Sequence, residues 1–463
     1  MVRTKNISSL SPTRDQLITL LDHYNNGRTD EAEILALSFL KQFPEHQFSY
    51  RVLGAILGKK GLYVEAKVAL NRALSIGPRE ASIYSDLAFI FNKLGRYQES
   101  ELNFKKALDL EPDLVDANLN LGNLFREVGR YEEALECYVQ TILLSPNLAA
   151  AYNNMGVTLE DLDRLEEAEK KFKQAITLKV DYIEAHSNLG RTLKKLEKYE
   201  EAIYHYDFVR DPNAVSQSLE CLYFAGNHYE FDRRLRLISE EDDVNIRVAA
   251  VSSFISHQMK KIDPYPFCSN PLDFIIKKNL LDFDPNAHTL LDEIVQESNK
   301  LELSWESRTT KFGFQGSNDF FDNSTKNTEY LEHVALKAVG EYYNKFRTEK
   351  NLFIQLWPKK HKLKGWYNRL LKNGYQSSHI HAGGWLSGVI YLKTIDTSHN
   401  DEGAIEFGLH GYDLPIRDKN YPRKLYKPSS GDIILFPSSL FHRTLPFTQD
   451  TERCVVAFDL MPT

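Results

Sequence analysis

Gly27, Gly61, Gly95 and Gly129 stand 34 residues apart, and the same phase continues at Asp163 and Glu197. Five residues beyond each comes a small side chain: Ala32, Ala66, Ser100, Ala134, Ala168 and Ala202. Prolines keep step at Pro44, Pro78, Pro112 and Pro146. A fixed period of this length constrains the fold more than any other feature, because each unit can bury its apolar face only against its neighbours. The three markers have separate mechanical reasons. Glycine or a polar residue lets the chain turn between two helices, the small residue lets paired helices approach, and proline stops the second helix. In GRYEEA (129–134) and DRLEEA (163–168) an acidic pair follows the turn and favours the start of the next helix.

Six such units cover about residues 10–210, and this helix-turn-helix unit resembles the tetratricopeptide repeat. The resemblance implies an all-α superhelix over 1–210 with the first helix of each unit lining a concave face. After Tyr206 the register falters. Residues 211–265 read as a degenerate repeat or cap and a linker, with AGNHYEF (225–231) echoing the turn, since terminal repeats close an open core. One position of each first helix carries Asp86, Asn120, Asn154 and Asn188. Amides donate and accept, so this row could grip a peptide backbone without reading its sequence. It resembles the asparagine ladder of the O-GlcNAc transferase superhelix; the alternative is a polar residue tolerated at a solvated groove position.

A length of 463 residues suggests two or three domains. The net charge of −7 argues against nonspecific nucleic-acid binding, which draws on a basic excess. The four cysteines make no CxxC pair and read as core thiols in a reducing compartment. The stretch MVRTKNISSLSPTRDQ lacks the apolar run of a signal peptide, and no segment has the ~18 consecutive apolar residues of a membrane span. A cytoplasmic location without membrane or nucleic-acid partners is the expectation.

Residues 266–463 change character. Helical periodicity survives at 284–301 and 328–346, and from about 352 short β-type runs follow: NLFIQLW, GWYNRLL, LSGVIYLKTI, GAIEFGL, GDIILFP and CVVAFDL. Such strands after helices predict an α+β sandwich or barrel. Within HIHAGGWLSGVIYL (379–392) the period of a strand puts His379 and His381 on one face. His442 follows the apolar strand GDIILFP, and Arg453 opens the terminal strand. Imidazoles suit iron, zinc, copper or nickel, and a guanidinium can hold a carboxylate bidentately.

This order resembles the iron(II)- and 2-oxoglutarate-dependent oxygenases with a double-stranded β-helix, a jelly-roll or cupin-like core; the likeness is tight over 350–463 and looser over 266–349. The resemblance implies that His379 and His442 bind iron(II), that Arg453 binds the distal carboxylate of 2-oxoglutarate, and that Tyr391 and Asn368 line the co-substrate pocket. The wider superfamily has Asp or Glu where this chain has His381. Either His381 is the third ligand or it swings away and water takes its place; ligation is the reading adopted. Glu406 is an alternative carboxylate. Arg443 should face away from the site, and His399 and His410 read as exposed loop residues. Basic stretches at 359–364 and 417–427 read as solvated loop charge.

The resulting expectation is a dioxygenase that hydroxylates a protein or peptide recruited by the repeat groove, by analogy with collagen-type prolyl hydroxylases, which also join such repeats to this catalytic domain. Two rivals stand beside it. One is a non-catalytic scaffold with a degenerate oxygenase domain; the other is a three-histidine cupin-type metalloenzyme that does not use 2-oxoglutarate.

Overall fold

In a computed structural model of the chain, the 34-residue period becomes a backbone conformation. Gly27, Gly61, Gly95 and Gly129 have φ between +70° and +78°, and Asp163 and Glu197 take the same left-handed conformation at 58° and 60°. Each turn closes alike. The N–H of the following residue reaches back five positions, as in Arg130 to Phe125 O and Arg164 to Leu159 O, both 2.8 Å, a Schellman-type cap. The five alanines of the small-residue series are wholly buried, as is Ser100, whose hydroxyl donates to Ala88 O at 2.7 Å and so takes no unpaired polar group into the core.

The structure describes residues 11–77, 79–280, 284, 287–301, 303–305, 309–317, 319–323, 325–395, 400–412 and 414–463. Pro78, His399 and the first ten residues lie outside these. The chain divides into two compact units, Met1–Lys198 and Tyr199–Thr463. The first is an array of helices, of 12 to 14 residues each, from Arg14–Asn25 to Ile183–Lys195. Among the described residues no helix is long and apolar enough to cross a membrane.

The second unit begins with four helices, Tyr199–Val209, Pro212–Phe224, His228–Glu241 and Ile246–Gln258. Gly226 and Lys260 again have positive φ, so the repeat turn persists where the sequence register weakens. These helices hold Pro415, Arg417 and Asp418 of the loop before the strand Arg423–Tyr426. Gln258 Oε1 accepts from the N–H groups of Arg417 and Asp418, both at 2.7 Å, and the Tyr223 hydroxyl donates to Pro415 O at 3.0 Å.

The rest of this unit is a curled antiparallel sheet of jelly-roll type. Its strands are β1 (Ile276–Asn279), β2 (Ser304–Trp305), β3 (Thr310–Gln315), β4 (His361–His379), β5 (Leu386–Lys393), β6 (Ile405–Gly408), β7 (Arg423–Tyr426), β8 (Asp432–Pro437), β9 (Phe441–Thr444) and β10 (Arg453–Pro462). They run in the order β1-β8-β5-β10-β4-β9-β6-β7, with β3 also on β4 and β2 on β3. Val389, Ile405, Phe407, Ile434, Phe436, Val455 and Ala457 share one buried cluster inside the curl. Helices Ala287–Ser298 and Lys326–Phe346 flank the sheet.

Two local expectations are corrected. NLFIQLW forms a short helix, Leu352–Gln355, rather than a strand: Asn351 caps it by accepting from Phe353 N, and Phe353 packs among Phe267, Phe274 and Trp385. An apolar run this short has no periodicity to separate the two states. His410 is half-buried rather than exposed, its Nε2 2.8 Å from Leu414 O and its ring 5.1 Å from that of Phe254.

Candidate metal and co-substrate site

Strand register brings the distant residues of the site together. His379, the last residue of β4, is the direct partner of His442 on β9. His381 lies in the turn beyond β4 rather than on the strand, yet its ring stacks 5.2 Å from that of His379 and lies 5.0 Å from that of His442. One ligand atom from each of the three lies within 4.8 Å of the others. Such a spread needs only small side-chain adjustments to close on one ion.

Each imidazole is held by its Nδ1. That of His379 is 2.7 Å from Ser377 O, that of His442 is 3.2 Å from Leu440 O, and that of His381 is 2.6 Å from Asp459 Oδ1. A neutral imidazole that donates outward through Nδ1 leaves the lone pair of its Nε2 for a metal. Burial, with a smaller push from its neighbour His381, lowers His379 to about 3. Burial also holds His442 well below the ordinary value. Both are therefore neutral and ready to ligate at pH 7.

A cavity of about 260 Å³ opens beside the histidines. Alternate residues of the first part of β10 line it: Arg453, Val455, Ala457 and Asp459. Asn368 of β4, Val455 of β10 and Tyr391 of β5 are register partners in one row across three strands. Asn368 also lines the cavity, whereas Tyr391 sits fully buried beside Arg453, whose guanidinium carbon is 4.9 Å from the tyrosine ring centre.

Several buried polar atoms here have no hydrogen-bond partner. Arg453 is 2% exposed, yet its Nε and one terminal nitrogen make no hydrogen bond; neither do the amide O and N of Asn368 or the Tyr391 hydroxyl. Burial depresses the Arg453 guanidinium and pushes Tyr391 up to about 12. Taking an unpaired cation out of water costs several kcal/mol, so this arrangement fits a bound anion. Neutral imidazoles and a buried guanidinium together suit iron(II) and a dicarboxylate such as 2-oxoglutarate.

Other candidates lie elsewhere. Glu406 pairs with Arg443 at 2.9 Å on the opposite side of the sheet from the histidines. Asp459 is a functional candidate that residue types alone did not reveal. In the repeat array, Asp86, Asn120, Asn154 and Asn188 take equivalent positions on alternate helices. Asn154 donates to Asn123 Oδ1 at 2.8 Å, Asn188 donates to Asn153 Oδ1 at 3.0 Å, and Asn120 accepts from Asn123 at 3.5 Å. Asn154 and Asn188 are thus tied to neighbouring helices, whereas the Asn120 bond stays within its own helix. Asp86 stands apart: burial raises it to about 6.

Comparison with known proteins agrees with this architecture. Residues 79–144 and 113–179 match the tetratricopeptide repeat. Residues 364–459 match the family described as "Putative 2OG-Fe(II) oxygenase". The repeat match thus falls in the helical array and the oxygenase-family match in the curled sheet. Among solved structures, one concerned with Pseudomonas aeruginosa PilF is similar at 19% identity, covering 46% of this chain and 97% of that one, with a TM-score of 0.39. YrrB, described as a TPR protein with an unusual peptide-binding site, is similar at 21% identity over 38% of this chain and 90% of its own, TM-score 0.31. A MamA structure is similar at 25% identity over 34% and 92%, TM-score 0.31. No curated protein matches the chain.

Proposed function

We propose that this protein is an iron(II)- and 2-oxoglutarate-dependent dioxygenase that hydroxylates a protein or peptide bound by its repeat groove. The proposed division of labour is a repeat array over 1–210, a helical cap and linker over 211–265, and the catalytic domain over 266–463. The observation that carries the reading is the buried, unpaired Arg453 guanidinium in the same cavity as three convergent imidazoles.

In this reading His379, His381 and His442 hold iron(II) through Nε2, and Arg453 receives the distal carboxylate of 2-oxoglutarate. Bound iron and 2-oxoglutarate together supply oxygen activation. The chain's own residues do the positioning. Tyr391 and Asn368 offer hydroxyl and amide groups to the co-substrate, and Val389, Ile405, Val455 and Ala457 exclude water around it. The repeats support a macromolecular substrate, because superhelical arrays present extended binding surfaces.

The rivals are weaker. A three-histidine metalloenzyme that does not use 2-oxoglutarate leaves the Arg453 cation buried without a counter-ion, and a retired domain gives no reason to keep it there. The test is succinate formation from 2-oxoglutarate by the iron-loaded full chain. Succinate that depends on both iron and Arg453 supports the reading; iron binding without turnover or binding of 2-oxoglutarate favours the cupin-type alternative.

A further inference from the structure

Asp459 is the one carboxylate among the described residues lining the cavity. It is 8% exposed, on the inward face of β10, six residues from Arg453. Its Oδ1 lies 2.6 Å from His381 Nδ1 and accepts from the Ser387 hydroxyl at 2.7 Å; that hydroxyl is in turn 2.8 Å from Ser438 Oγ. Ser438 also anchors the backbone of His381, whose N–H donates to Ser438 O at 3.1 Å. Trp366 covers the imidazole at 5.2 Å between ring centres. A Cβ at Gly384 would lie 2.9 Å from Asp459 Cγ, so the glycine leaves room for the carboxylate.

The charge distribution explains why a carboxylate belongs here. Three neutral imidazoles leave a bound dication uncompensated, and the cationic Arg453 shares the cavity. Before a co-substrate binds, Asp459 is the one source of neutralising charge among the described cavity-lining residues, and a carboxylate behind a ligating histidine raises its basicity and fixes its ring.

We propose that Asp459 is a positioning residue for the metal: it locks His381 with Nε2 toward the ion and supplies through that imidazole the negative charge that the ligand set lacks. The inference rests on the metal-site reading above. It makes His381 a true third ligand, with Ser387 and Ser438 fixing the carboxylate that orients it.

The test is titration of the metal-free full chain with cobalt(II), read by the visible d–d spectrum. Asp459→Asn keeps an acceptor for the imidazole N–H and removes only the charge; it should weaken cobalt binding about 10–100-fold and alter the spectrum. Asp459→Glu should recover part of the affinity. Glu406→Gln makes the same charge change on the other side of the sheet and should bind as wild type. An Asp459→Asn protein with wild-type affinity and spectrum overturns the proposal. Should that variant fail to fold, Ser387→Ala carries the same test, with a smaller loss expected and wild-type binding again contradicting it. Wild-type protein that binds no cobalt defeats the metal-site reading itself, a separate result.

Discussion

His379 and His442 face each other as register partners across β4 and β9, 63 residues apart in sequence yet 4.3 Å apart between ring centres. Antiparallel pairing, rather than sequence proximity, builds the site, so it should respond to substitution as one unit. His442→Ala should weaken cobalt(II) or iron(II) binding more than about 100-fold, beyond the effect of an outer partner, while far-ultraviolet circular dichroism keeps the wild-type spectrum. Near-wild-type affinity in this variant would mean that the rings do not share an ion.

The same pair sets a pH dependence. His379 is held at about 3 when folded and His442 well below its ordinary value, against roughly 6.5 for an unfolded chain. Below about pH 6.5 the unfolded chain takes up protons that the metal-free native site refuses, so stability is full above that pH and falls toward pH 3. Each histidine contributes a slope approaching about 1.4 kcal/mol per pH unit. Urea midpoints at pH 7.5 and 5 should therefore fall further in wild type than in a His379→Gln/His442→Gln variant. Equal falls in the two proteins would contradict the assignment.

Arg453 should exchange stability for binding. Without an anion it is a buried, unpaired cation, so Arg453→Met should stabilise the metal-free protein by about 1 kcal/mol or more, read as a raised denaturation midpoint. The same change should cost about 2 kcal/mol or more in 2-oxoglutarate affinity, roughly 30-fold, measured by calorimetry on the metal-loaded chain. A destabilised variant with unchanged affinity would make Arg453 a structural residue.

The repeat turns offer a purely backbone test. Gly129 has φ +78° with open space where a Cβ would stand, so Gly129→Ala should cost about 1–2 kcal/mol from conformation alone. Asp163 holds the same conformation at 58°, and Asp163→Gly should be neutral or stabilising by less than about 1 kcal/mol. A loss at Gly129 and no loss at the equivalent Asp163, read from urea midpoints, check that the period is a backbone requirement.

The turns were legible because left-handed backbone selects glycine or a polar residue at a fixed interval, and the spacing survived even where Asp163 and Glu197 replaced glycine. The three histidines and Arg453 were legible as types and spacings, although His381 lies past the strand end and reaches the cluster through a turn. Asp459 was hidden within the apolar run CVVAFDL. Its meaning depends on the pairing of β10 with β5, which sets it opposite Ser387, and on a partner 78 residues away. The alternation Arg453, Val455, Ala457, Asp459 was the available signal: the residues of one strand face begin with a cation and end with an anion. The amides at 120, 154 and 188 were visible as a row, but the bonds of Asn154 to Asn123 and of Asn188 to Asn153 arise only when neighbouring helices pack.

The most direct measurement is anaerobic addition of 2-oxoglutarate to the iron(II)-loaded full chain, followed by visible absorption. A keto acid chelated to ferrous ion gives a charge-transfer band, and the account predicts that band in wild type, its loss in His442→Ala, and its appearance only at much higher 2-oxoglutarate concentration in Arg453→Met. A wild-type protein that binds iron(II) but develops no band at saturating 2-oxoglutarate would contradict the account.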